Sequence, residues 1–289
     1  MELSDNLKKI IKIINTKKTV CLLAPAFPVD FKYPDIIIDL KKIGFSKILE
    51  LTYAAKLISI RYSKILKRLP EKQFICANCP SVVKYIENKY PQHKAKIINV
   101  ASPMIIMGRY SHAEYPSYKT IFVGPCLSKK QEAIENHEVD FAITFKELQE
   151  IFDYYAEKKL FKKIDIDPKT VDFNKLYNDY TKIYPLSGAV AKTMNYKEIV
   201  EKKQVVIADG IKGIDLAIKK MEKNKNIRLL DILFCEGGCI GGPGIMSKDS
   251  LEVKKKKILD YKKECKKTPM GEHFGKFEYY KDLKLRRKL

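Results

Sequence analysis

Short apolar runs alternate with amphipathic segments over the first hundred positions. The runs fall at 19–23, 47–51, 74–76 and 97–100, and each is bounded by turn residues. Apolar runs without alternation are the pattern of strands buried on both faces, as in a parallel sheet. Between them the spacing turns helical. Ile36, Ile37, Leu40 and Ile43 share one face, as do Leu57, Ile58, Ile60 and Leu66, and a third helix opens at Pro80. The rhythm repeats downstream, with strands predicted at 120–123, 140–143, 204–207 and around 229–234.

This β-α-β-α order predicts an α/β protein with parallel sheets covered on both faces by helices. We read two lobes, each a twisted, mostly parallel sheet flanked by helices: an N-terminal lobe at 1–115 and a second lobe at 116–250. A basic C-terminal helix and tail follow at 251–289. The stretch 158–185 is polar and poorly periodic, and is expected to be an inserted connection.

Composition narrows the function. The 289 residues are 45% hydrophobic, enough for one large core or two ordinary ones. No apolar stretch reaches the length of a spanning helix, and the N-terminus lacks the basic and apolar regions of a signal peptide, so no membrane insertion and a cytoplasmic location are expected. The net charge is +21. It is compatible with an acidic partner, but the lysines are spread along the chain and do not interleave with aromatics, which speaks against nucleic acid.

Seven cysteines in a chain of this length point to metal or redox chemistry rather than disulfides. Four of them share one context. Cys79 follows the strand at 74–76, Cys126 follows the strand at 120–123, and Cys235 and Cys239 follow the strand at 229–234. All four therefore fall at carboxyl ends of predicted strands, the ligand-binding edge of open α/β sheets. Four thiolates converging there suit tetrahedral sulfur ligation, either of zinc or of an iron–sulfur cluster. The glycines of Cys235-Glu-Gly-Gly-Cys239-Ile-Gly-Gly-Pro-Gly favour a bulky cluster, because they let backbone approach it. Ligands drawn from positions 79 to 239 are also unlike the compact module of a structural zinc site. Cys76 and Cys79 could alternatively form a redox dithiol, although that leaves the other cysteines without a role. Cys21 reads as a core residue and Cys265 as a bystander on the basic helix.

At these residues the chain resembles the cluster-binding domain of the [FeFe]-hydrogenases. That family carries T-S-C-C-P, M-P-C-x-x-K-x-x-E and E-x-M-A-C-x-x-G-C-x-x-G-G in order. This chain has Cys76-Ala-Asn78-Cys79-Pro80, then Gly124-Pro125-Cys126-Leu-Ser-Lys129-Lys-Gln-Glu132, then Asp231-Ile-Leu233-Phe-Cys235-Glu-Gly-Gly238-Cys239-Ile-Gly241-Gly242. The resemblance covers about residues 19–250 and implies an H-cluster in the cleft between the lobes. This is a 4Fe-4S cubane bridged to a two-iron subsite with CO, cyanide and a dithiolate bridge. Cys79, Cys126, Cys235 and Cys239 would ligate the cubane, with Cys239 bridging to the subsite. Lys129 would hydrogen-bond a cyanide. Ala24, Pro25, Ala26, Pro103, Met104 and Leu233 would line the subsite pocket.

The resemblance implies reversible H2 oxidation and proton reduction. It also implies partners: an acidic ferredoxin or similar electron carrier, since no C-x-x-C-x-x-C run precedes the domain, and hydrogenase maturation proteins. Several positions depart from the family. Its proton-donating cysteine is Asn78 here, and its acidic pair aligns with Arg61 and Tyr62. Its pocket methionines are Gly124 and Leu233, and Met104 replaces a glutamine. The Cys-Pro-Ser-Val-Val and Gly-Gly-Cys-Ile-x-Gly-Pro-Gly wording is similar to the sensory-type branch. H2 sensing with low turnover and non-catalytic cubane binding are therefore alternative expectations.

Overall fold

The protein is described here from a computed structural model covering residues 2–174, 180–264 and 283–287. In chain order the described elements are α1 (Asp5–Thr16), β1 (Thr19–Leu23), α2 (Asp35–Ile43), β2 (Lys47–Glu50), α3 (Thr52–Arg68), β3 (Phe74–Ile75), α4 (Pro80–Lys89), α5 (Pro103–Glu114), β4 (Lys119–Gly124), α6 (Ser128–Asn136), β5 (Phe141–Thr144) and α7 (Phe145–Glu157). They continue with α8 (Ala189–Thr193), β6 (Val205–Asp209), α9 (Gly210–Lys223), β7 (Leu229–Leu233) and α10 (Leu251–Glu264). None of the described helices is long and apolar enough to cross a membrane.

The strands form two parallel sheets, in the orders β2-β1-β4-β5 and β3-β7-β6. The central strands are the most apolar ones. All five residues of β1 and all five of β7 are buried, as expected for strands covered on both faces. In the larger sheet Leu22 pairs with Leu49 on one side and with Phe122 on the other.

Sheet membership departs from the expected split at 115/116. β3 lies in the first segment yet pairs with β7, while β4 and β5 lie in the second and join β1 and β2. The chain crosses between sheets three times, so each sheet takes strands from both segments. Apolar periodicity marks a strand but carries no information about its partner, which is set by crossover geometry. The predicted strand at 97–100 is also corrected. Only Ile97 makes a single parallel bridge, to Ile75. It leaves the tight turn of Pro91–Lys96 at the edge of a two-residue strand, with no room for a ladder.

The basic helix is present as α10, but it is no solvated appendage. Ile258 and Tyr261 are buried in the main core, and Phe27 meets Tyr261 edge-on at 4.9 Å. Tyr261 belongs to a buried polar knot at the end of β2. Lys182 Nζ lies 2.7 Å from Glu50 Oε2 and 2.5 Å from Tyr261 Oη, and Tyr261 donates to Glu50 Oε1 at 2.9 Å. Thus β2, α10 and the segment around 182 are tied by one fully buried ion pair. Cys265 and most of the tail lie outside the described residues.

Candidate cluster-binding site

The carboxyl ends of both sheets face a common cavity of about 80 Å³. Room for roughly half a dozen waters at ~10–15 Å³ each exceeds an ordinary packing defect. Its walls are almost wholly apolar. Ala24, Pro25 and Ala26 follow β1, Leu51 follows β2, and Leu233 ends β7. Pro103 reaches it from α5, whose first turn is capped by the Ser102 hydroxyl accepting from Ile105 N at 3.4 Å.

Three of the four expected cysteines line this cavity: Cys79, Cys126 and Cys239. Cys235 adjoins it rather than lining it, and its thiol is close enough to Cys126 and Cys79 to be influenced by both. Local chemistry places each. Cys79 precedes Pro80, whose ring bars the helical conformation before it, and sits extended at φ −106°, ψ 114° as the cap of α4. Cys126 leaves β4 through Pro125, just before α6. Cys239 is held by its own N–H, which donates to Pro185 O at 2.8 Å.

The glycines of the third segment admit protein backbone. A Cβ on Gly241 would lie 2.0 Å from Glu236 O, and one on Gly242 would lie 2.6 Å from Pro125 O. The Gly244 N–H donates to that same Pro125 carbonyl at 2.8 Å. The glycines therefore let the 235–244 loop close onto itself and onto the Cys126 loop, which brings the thiols into one place.

Burial pushes the Cys79, Cys235 and Cys239 thiols up. Cys235 reaches about 11, with Cys126 and Cys79 adding to the rise. For Cys239 the other three cysteines add to burial, and Lys129 opposes them. A bound cationic cluster would offset both the burial and the thiolate–thiolate repulsion that oppose ionisation of Cys79, Cys235 and Cys239. Among the described residues no three His, Cys, Asp or Glu side chains are grouped as around a single metal ion. All six described cysteines are free of disulfides.

Lys129 is buried and lines the cavity, where its Nζ pairs with Glu132 Oε2 at 2.6 Å. Glu132 also accepts from Ser102 Oγ at 2.9 Å. Asn78 lines the cavity as well, and its buried Oδ1 has no hydrogen-bond partner. Met104 is different. It is fully buried in the core and is absent from the cavity wall. It follows Pro103 on a helix, so its side chain points about 100° away. Cys21 is a core residue, as expected, and burial alone raises its thiol.

Sequence reasoning missed Phe122, Ala55 and Tyr184 as wall residues. Phe122 and Ala55 read as ordinary core positions. Tyr184 fell within the stretch at 158–185 expected to be a connection, where no periodicity marked it.

Comparison with known proteins agrees with this arrangement. The chain is 25% identical over 276 residues to iron hydrogenase 1 of Clostridium pasteurianum, an alignment covering 76% of this chain and 47% of that protein. It is 24% identical over 266 residues to the NADP-reducing hydrogenase subunit HndD of Solidesulfovibrio fructosivorans, covering 71% and 44%. The chain thus spans less than half the length of these relatives. Its fold is shared with solved structures. One, from a study of [FeFe]-hydrogenase oxygen inactivation through degradation of the H cluster 2Fe subcluster, superposes with a TM-score of 0.72 at 14% identity, covering 96% of this chain and 94% of that one. Another, a variant of the [FeFe]-hydrogenase HydA1 from Chlamydomonas reinhardtii, gives 0.64 at 14% identity, covering 89% and 88%. The sequence profile described as "Iron only hydrogenase large subunit, C-terminal domain" matches residues 17–243, and with it the chain belongs to that family.

Proposed function

We propose that this chain binds an H-cluster and acts as an [FeFe]-hydrogenase, converting protons and electrons to H2 and back. One observation carries the reading: three half-buried cysteines line one apolar cavity at the strand ends of two sheets, and a fourth adjoins it. Cys79, Cys126, Cys235 and Cys239 are the proposed cubane ligands. They lie near enough to influence one another, and they come from three separate strand ends rather than from the compact local module usual for structural zinc. When bound, the two-iron subsite supplies the heterolysis of H2.

The chain's own residues do the rest. Ala24, Pro25, Ala26, Leu51 and Leu233 keep the cavity dry, which strengthens every charge interaction inside it. Lys129 presents a compact buried cation there, suited to an anionic ligand such as cyanide, with Glu132 fixing its position. The lysine-rich surface suits an acidic ferredoxin or similar electron carrier, and maturation proteins would deliver the subsite.

The test is reconstitution of the cubane, addition of a synthetic two-iron subsite, and infrared spectroscopy. Sharp CO and cyanide bands that shift under H2 are expected. A cubane that never takes up the subsite leaves non-catalytic cluster binding. A second reading, H2 sensing with slow turnover, is favoured by Asn78, because an amide cannot exchange protons as a thiol can. Asn78→Cys is therefore expected to raise H2 turnover by about tenfold or more. An unchanged rate in a normally loaded variant means that protons do not pass through position 78.

A further inference from the structure

Helix α9 separates its charges. Lys212, Leu216, Lys219 and Lys223 are all exposed and fall within about 60° of arc on one helical face. The opposite face, Ile214, Ala217, Ile218 and Met221, is buried with Leu230 and Ile232 of the smaller sheet. Leu216 is 67% exposed, the most exposed large apolar side chain among the described residues. Lys219 and Lys223 stand one turn apart, a like-charge spacing that mildly destabilises a helix. The two acids of α9 do not neutralise this stripe. Asp215 turns toward α4, where Tyr85 Oη and Tyr90 Oη donate to its Oδ1 at 2.7 and 2.8 Å and Lys89 Nζ donates to its Oδ2 at 2.7 Å. Glu222 meets His93 Nε2 at 2.7 Å. α10, also lysine-rich, differs: Glu252, Asp260 and Glu264 interleave with its lysines, and Lys257 and Lys263 are paired with Asp249 and Asp260.

The bonds to Asp215 fix an aromatic platform beside the stripe. Lys89 Nζ lies over the Tyr85 and Tyr90 rings, 5.2 and 5.5 Å from their centroids. Tyr85 meets Phe234 edge-on at 5.8 Å, and Phe234, itself half-buried, directly precedes Cys235. Cys235 is the proposed ligand that lies outside the apolar cavity. The start of α9 reaches the same loop. Gly210 packs against the Glu236 side chain, and Asp209 Oδ1 accepts from Gly237 N at 3.1 Å. The stripe therefore runs outward over the surface from the loop that carries Cys235.

We propose that the Lys212–Lys223 face of α9, with the Tyr85–Phe234 platform at its edge, is where a small acidic iron–sulfur electron carrier docks. Carboxylates of the carrier meet the lysines, an apolar contact covers Leu216, and the carrier's cluster is brought to the Phe234–Cys235 side of the site. One electron passes per encounter: the reduced carrier is oxidised as the cubane is reduced, and the direction reverses during H2 oxidation. The inference rests on the H-cluster reading above and assigns that reading's partner to one surface. Charge selects the occupant. A second copy of this chain, at +21, would bring lysines against lysines, whereas an acidic partner is drawn to this face and oriented by it.

The test uses the cubane-loaded full-length chain and a purified acidic bacterial ferredoxin. Calorimetry at low ionic strength should show binding that weakens steeply as salt is added. Lys212→Glu/Lys219→Glu/Lys223→Glu should weaken it at least about tenfold. Leu216→Asp should weaken it about fivefold or more, and it decides alone should the triple variant misfold. Lys255→Glu/Lys256→Glu/Lys263→Glu on α10 makes the same change in net charge and should alter affinity by less than about threefold. Reduction of the cubane by reduced ferredoxin, followed by visible absorption in stopped flow, should slow in the α9 variants, while reduction by dithionite stays within about twofold of wild type. Equal weakening by the two triple variants, or α9 variants that bind as the wild type does, overturns the docking face. So does a wild-type chain that binds duplex DNA and not the ferredoxin. Failure of the wild-type chain to load a cubane is a failure of the H-cluster reading, seen before any ferredoxin is added.

Discussion

Cys239→Ala and Cys79→Ala chains, reconstituted with iron and sulfide, are expected to retain at least about tenfold less cubane iron than the wild type, because loss of a ligating thiolate costs more than the 10–100-fold typical of its outer partners. The measurement is iron and sulfide content together with the visible absorption of the cluster. The argument is geometric. Cys239 is fixed by its N–H bond to Pro185 O and by the glycine loop that folds back against Pro125, so no neighbouring thiol can move into its place. Cys21→Ala and Cys76→Ala provide the controls. Both thiols are fully buried and absent from the cavity wall, so the cubane should survive both changes. Cys76→Ala also separates the cluster from the redox-dithiol alternative, which needs Cys76 as much as Cys79. Full iron content in Cys239→Ala and Cys79→Ala would remove the proposed ligand set.

Lys182→Met is expected to destabilise the fold by about 3–5 kcal/mol, the cost of leaving a buried charge without its partner. Lys182 is fully buried, its Glu50 partner is 4% exposed at the side chain, and their atoms are 2.7 Å apart. The pair draws in Tyr261 of α10 and the Thr52 hydroxyl, which donates to Glu50 Oε2 at 3.0 Å. Chemical denaturation gives the number directly. The double variant Glu50→Gln/Lys182→Met should lose less than the sum of the single changes, since it removes both charges together. A single variant within ~0.5 kcal/mol of wild type would mean that the pair is solvated in solution. Because Leu51, one residue after Glu50, and Tyr184, two residues after Lys182, line the cavity, the weakened variant should also load cluster less completely.

The comparison between sequence and structure turns on particular residues. β1 and β7 were legible because unbroken apolar runs bounded by turns have few other solutions. The cysteine positions were legible for the same reason, since each follows such a run. The roles of the glycines were not. Gly241 and Gly242 make room for the carbonyls of Glu236 and Pro125; a glycine's permissiveness is local and legible, but which backbone approaches it is not. Met104 was placed at the pocket by resemblance and turns into the core instead, because one step along a helix rotates a side chain by about 100°.

By itself the sequence determined seven of the eight strands it marked, the parallel character of the sheets and which cysteines stand at strand ends, because these follow from local pattern and turn chemistry. Only the tertiary structure decided that β3 crosses to β7, that α10 is stapled to β2 by Glu50 and Lys182, and that Tyr184 joins Leu51 and Ala55 in the cavity wall. Each of these is a contact between residues more than a hundred positions apart. Such contacts are selected by packing and by the cost of burying charge, and neither is written in any short stretch of residues.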